Sequence, residues 1–88
     1  LDRETTIRRM KYLARRRATL ELDLILGRVF DRLDWDRMSD REVDRAARVF
    51  EADDLALQRA FMGQAPPPPE IDSDTWDQVL RLARLGNE

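Results

Sequence analysis

The chain has no cysteine and no histidine among its 88 residues. Without cysteine there is no disulfide framework and no thiolate nucleophile, which agrees with a reducing compartment. Without histidine there is no imidazole general base, no catalytic triad and no ordinary zinc site. Glycine occurs three times, and alternation at strand period is nearly absent, which argues against a sheet. No apolar run approaches the roughly 18–20 residues that cross a bilayer, and no secretory-signal pattern is seen. Direct insertion into a membrane is therefore not expected.

What is present suits a soluble helical protein. Hydrophobic residues make up 42% and charged residues 39%, a mix unlike that of disordered chains. At this length one small domain is expected, burying about 60–65% of its unfolded surface. The net charge of −2 hides an asymmetry. Residues 1–17 hold seven Lys or Arg against two Asp or Glu, and the rest holds nine against sixteen. A basic N-terminal arm and an acidic body follow.

Apolar periodicity and capping residues predict an all-α bundle of five helices, at about 4–16, 20–33, 40–51, 54–62 and 74–85. Ile7, Met10 and Ala14 form the inner stripe of the first, and Tyr12 lies near its end. Leu22, Ile25, Leu26, Val29, Phe30 and Leu33 make the second the most buried. Leu20 and Leu24 lie off that face and are expected to pack under the first helix; otherwise they form an apolar patch. Trp35 and Met38 should plug the end of the core. Ser39 and Glu42 form a capping box before Val43, Ala46, Ala47 and Phe50. Asp53 caps a short helix carrying Leu57 and Phe61, with Leu55 and Met62 alongside and Gly63 as its stop. Four prolines, Pro66–Pro69, form a stiff spacer over residues 64–70. The last helix is expected to start from a Ser73 cap, to bury Trp76, Val79, Leu80 and Ala83, and to stop at Gly86. No repeat links the helices.

The junction of the first two helices concentrates charge: Arg15, Arg16 and Arg17, then Ala18 and Thr19, then Glu21 and Asp23 among leucines. Helix ends alone favour this order of signs, because cations suit a C-terminus and anions an N-terminus. They do not explain three adjacent arginines. The cluster from Glu51 to Asp54 has the same two readings, capping or a second acidic contact surface. Glu21 and Asp23, two residues apart, point in different directions and are no acid/base pair. At the turn, Ala18 either avoids positive φ or carries about 1 kcal/mol of strain.

These residues resemble the SdhE family of small flavinylation factors, whose mitochondrial members are called succinate dehydrogenase assembly factor two. The family's Arg-Gly-x-x-Glu motif, followed by Leu-Asp, matches the stretch from Arg17 to Asp23, with Ala18 in the place of the glycine. A second match runs from Glu51 to Asp54 and into Leu57, with Ala60 where many members have tryptophan. The resemblance implies a five-helix fold and an assembly factor that binds the flavoprotein subunit of succinate dehydrogenase or fumarate reductase. There it would promote covalent attachment of FAD to a histidine of that subunit. The FAD belongs to the partner, so no tightly bound cofactor, no metal and no catalytic residue is expected in this chain. A Gly-rich dinucleotide loop after a strand is also lacking.

The expected partner-binding residues are Arg16, Arg17, Ala18, Glu21, Asp23, Asp53 and Asp54. Arg17 is expected to pair with a partner carboxylate or carbonyl, Glu21 to pair with a partner cation or orient Arg17, and Asp23 to hold the turn or add a contact. A monomer is expected, in the bacterial cytoplasm or, in a eukaryote, the mitochondrial matrix. The alternative is a nucleic-acid-binding protein using the arginines of the first helix. The pI of about 5.2 stands against it. An independent enzyme is not expected.

Overall fold

The computed structural model describes residues 2–84, which hold five α-helices and one 3-10 turn and no strand. The first helix, α1, spans Arg3–Ala14. The Asp2 carboxylate caps it, accepting the Glu4 N–H at 3.2 Å and the Thr5 hydroxyl at 2.6 Å. Met10 and Ala14 are buried, with Ile7 and Leu13 half-buried against the core. The Arg3 side chain ties this end to the rest, donating to Asp40 at 2.9 Å and to the carbonyls of Trp35 and Met38.

Helix α2 spans Leu20–Arg32 and starts from Thr19, whose hydroxyl accepts the Leu22 N–H at 3.1 Å. Its buried line is Leu22, Leu26, Val29 and Phe30. Leu20 and Leu24 do not pack under α1. They are 74% and 59% exposed, because each stands two residues from buried Leu22, a rotation of about 200° around the helix. The 3-10 turn Trp35–Arg37 closes one end of the core. There the Trp35 indole donates to the Phe30 carbonyl at 3.1 Å, with the two rings 5.1 Å apart.

Helix α3 spans Asp40–Glu51 and opens with both arms of the capping box, Glu42 N–H to Ser39 Oγ at 3.1 Å and Ser39 N–H to Glu42 Oε1 at 2.8 Å. Helix α4 spans Asp54–Phe61, capped by the Asp53 carboxylate on the Ala56 N–H at 3.1 Å. It ends in a Schellman turn: the Gln64 N–H reaches Arg59 O at 2.9 Å and the Gly63 N–H reaches Ala60 O at 3.1 Å. Gly63 takes φ +72° there, a region that side chains resist.

The proline spacer is pinned by buried Pro68 and Ile71, the Ile71 N–H donating to Pro68 O at 3.0 Å. Helix α5 spans Ser73–Arg84. Its cap is Asp72 rather than Ser73: the Asp72 carboxylate accepts the Thr75 N–H at 3.1 Å and the Thr75 hydroxyl at 2.6 Å. The threonine hydroxyl adds a second donor for a carboxylate that a serine cap would not engage. The expected end of this helix, Leu85 and Gly86, lies outside the described residues.

Phe50, Leu26, Val29, Val49 and Leu57 are fully buried at the centre. Helix α1 packs chiefly on α3 and also on α2, and α2 packs on α5. Arg28 and Arg32 of α2 cap α5 from outside, each donating at 3.0 Å, to Ala83 O and Leu82 O respectively. Phe61 and Trp76 join α4 to α5 with ring centroids 4.8 Å apart. No helix among the described residues is long and apolar enough to cross a membrane.

Candidate functional site

The corner between α1 and α2 is built around one side chain. Helix α1 stops at Ala14, two residues earlier than its periodicity suggests, and the chain turns so that Arg17 reaches inward. Its guanidinium donates to Phe50 O at 2.6 Å, Ala52 O at 2.8 Å and Leu13 O at 3.3 Å. It also pairs with Asp54 at 2.6 Å, and the arginine side chain is only 5% exposed. Helix α3 has no glycine at its end, so its last carbonyls need another donor. Arg17 supplies it, and the same cation serves the last turn of α1. Its Nε has no hydrogen-bond partner among the described residues.

Two carboxylates lock the turn from either side. Asp23 accepts the Arg17 N–H at 2.7 Å, and Asp54 accepts the Ala18 N–H at 2.6 Å while pairing with the arginine side chain. No residue other than glycine takes positive φ among the described residues. The turn therefore accommodates Ala18 without left-handed strain. The stretch from Arg17 to Asp23 and the stretch from Glu51 to Asp54, distant in sequence, form one knot.

The seven expected contact residues divide accordingly. Arg17 is turned inward, so its expected pairing with a partner is replaced by four bonds within the chain; the reason is the set of orphan carbonyls at the ends of α1 and α3. Asp23 and Asp54 hold the turn and are half-buried. Asp53 is exposed and caps α4. Arg16, Ala18 and Glu21 are exposed on the outer edge. The Arg16 guanidinium sits 4.6 Å from the centroid of the Tyr12 ring, itself 58% exposed, a cation–π contact. Glu21 lines a cavity of about 160 Å³ together with Leu22, Ile25, Gln58, Phe61 and Met62.

A charge-lined groove was not anticipated. It runs along the outer face of α2, lined by Leu24 and Gly27, by Asp23 and Asp31 and by Arg15, Arg28 and Arg32, and measures about 340 Å³. Its signal in the sequence was a glycine in mid-helix beside arginines four residues apart, Arg28 and Arg32.

A family model, Sdh5, described as the flavinator of succinate dehydrogenase, matches residues 8–83. The chain belongs to this family. The match takes in both halves of the knot and runs through α5, beyond the stretch from Ile7 to Phe61 that carried the resemblance to flavinylation factors. No curated protein and no solved structure matches the chain. An Sdh5-family protein serves in assembly, and the all-helical fold is the one the resemblance implied. In this Sdh5-family chain the motif arginine is a structural centre, and its exposed neighbours form the surface around it.

Proposed function

We propose that this chain is an assembly factor that binds the flavoprotein subunit of succinate dehydrogenase and promotes covalent attachment of FAD to it. The related subunit of fumarate reductase is a second candidate partner. The observation that carries the reading is the knot itself. The two stretches that match the family's motifs converge on buried Arg17 and leave Arg16, Ala18, Glu21 and Asp53 exposed around it.

In this reading Arg17, Asp23 and Asp54 set the shape of the corner, and the exposed residues meet the partner. Arg16 offers a planar guanidinium already oriented by Tyr12. Glu21 offers a carboxylate beside an apolar cavity, suited to a partner lysine or arginine whose stem lies on the half-buried Ile25 and Phe61. The partner brings the flavin and the histidine that receives it. The chain acts by binding the attachment-competent conformation of the subunit more tightly than others. It works as a monomer and holds no flavin of its own.

The test is co-purification with the flavoprotein subunit, with covalent flavin read by in-gel fluorescence after denaturation. Wild type is expected to form the complex and raise covalent flavin. Glu21→Ala and Arg16→Ala are expected to weaken both without loss of helix content. Unchanged covalent flavin when the chain is absent, with no complex, would defeat the proposal.

A further inference from the structure

The outer face of α2 contains a glycine that the chain itself does not need. Gly27 lies in mid-helix, where glycine is less favourable than alanine. A Cβ placed there would meet nothing within 4 Å among the described residues, and Gly27 has no positive φ. Neither internal packing nor backbone conformation calls for it. It lines the groove beside Leu24, and Leu20 continues the same line one turn earlier.

The charges along this groove are unbalanced. Arg15, Arg28 and Arg32 line it; Arg28 and Arg32 each give one N–H to a carbonyl of α5 at 3.0 Å but meet no carboxylate among the described residues. Of the two carboxylates there, Asp23 is engaged with the Arg17 N–H at 2.7 Å, and Asp31 makes, among the described residues, only a 4.0 Å pair with Arg15. A glycine there admits close approach of another backbone, as small residues do where helices cross. Exposed leucines offer apolar burial, and excess guanidinium groups call for carboxylates.

We propose that this groove seats an acidic amphipathic helix of the flavoprotein partner, crossing α2 over Gly27. Its aliphatic side chains lie on Leu20 and Leu24, and its carboxylates pair with Arg15, Arg28 and Arg32. A second copy of this chain is disfavoured as the occupant, because a two-fold contact would set one net-positive patch, three arginines against two aspartates, on another. The inference rests on the partner assigned above. It adds a surface on the opposite side of α2 from the buried line.

The test compares thermal unfolding of the whole chain with its affinity for the isolated flavoprotein subunit. Gly27→Ala is expected to raise the melting temperature, since alanine is the better helix former. It is also expected to weaken binding by about tenfold or more, the scale of one methyl forced into a packed contact. Gly27→Leu weakens binding further, and Arg15→Glu weakens it while flattening its salt dependence. A photo-crosslinker in place of Leu24 is expected to attach to a helix bearing Asp or Glu in the partner. Unchanged affinity in both Gly27 variants, or attachment to a second copy or to a segment without carboxylates, overturns the inference. If that happens while Glu21→Ala still disrupts the complex, the assembly role survives without this groove. If wild type forms no complex, both fall.

Discussion

Arg17 donates to three carbonyls from two helix ends and pairs with one carboxylate, all with a side chain nearly sealed from water. Removing one partner of a buried ion pair leaves the other uncompensated. Arg17→Ala is therefore expected to lower stability by about 3–5 kcal/mol, read as a reduced midpoint in urea unfolding. Arg17→Lys should rescue little, because a point-like ammonium cannot span carbonyls that a planar fork reaches together. A midpoint near wild type for the lysine variant would show that charge alone suffices. Ala18 makes a milder case. Its φ is not positive, so Ala18→Gly gains no relief and frees the unfolded chain, at a cost of about 0.4–1 kcal/mol. A rise in melting temperature for this variant would contradict the geometry of the turn. The sequence showed that Arg17 mattered but not which way it pointed. Its targets Phe50 and Ala52 lie 33 and 35 residues away, and no local pattern encodes such a reach.

At the scale of single helices, most starts were legible because a cap is a local bond between a side chain and an amide two or three residues on. Thr19, Ser39 with Glu42, and Asp53 all cap where the sequence placed them. The start of α5 was misread because two adjacent residues could both cap, and the choice fell to Asp72 through the Thr75 hydroxyl. Thr19→Ala should cost about 1 kcal/mol, measured by equilibrium unfolding. The carboxylates also make stability depend on pH. The Thr5 hydroxyl above all lowers the pKa of Asp2, the Ser39 backbone N–H that of Glu42, and the Thr75 hydroxyl that of Asp72. A folded-state pKa below the unfolded one gives stability that is complete above about pH 5 and is lost as pH falls through the unfolded and then the depressed values. Melting temperature should therefore fall below about pH 5. The fall should be shallower in Asp72→Asn, which keeps an acceptor but cannot titrate. Parallel curves for the two proteins would show that the Asp72 cap contributes nothing to the acid limb.

At the scale of the whole molecule, the five-helix order was readable from period and caps, but the distribution of charge was only half readable. Counting along the sequence gives a basic arm and an acidic body. Folding brings them together: Arg3 pairs with Asp40, Arg9 with Glu51, Arg15 with Asp31 and Arg17 with Asp54. Each pair joins a basic residue of the first seventeen to a carboxylate beyond them, which no count of composition reveals. Of the first seventeen residues, Arg8, Lys11 and Arg16 make no ion pair among the described residues, so the unpaired charge of the basic arm narrows to one side of α1 and the outer edge of the corner. Long-range attraction acts mainly on encounter rate and is screened over about 8–10 Å at ordinary salt. If this surface steers docking, association with the flavoprotein subunit should slow as ionic strength rises, with dissociation changing less. The exposed pair Arg8→Glu and Lys11→Glu, outside the corner, should slow association at low salt and remove much of its salt dependence. Stopped-flow or surface-binding kinetics would read both. An association rate indifferent to salt would mean that encounter is governed by shape at the corner, and that the surviving cations serve only solubility.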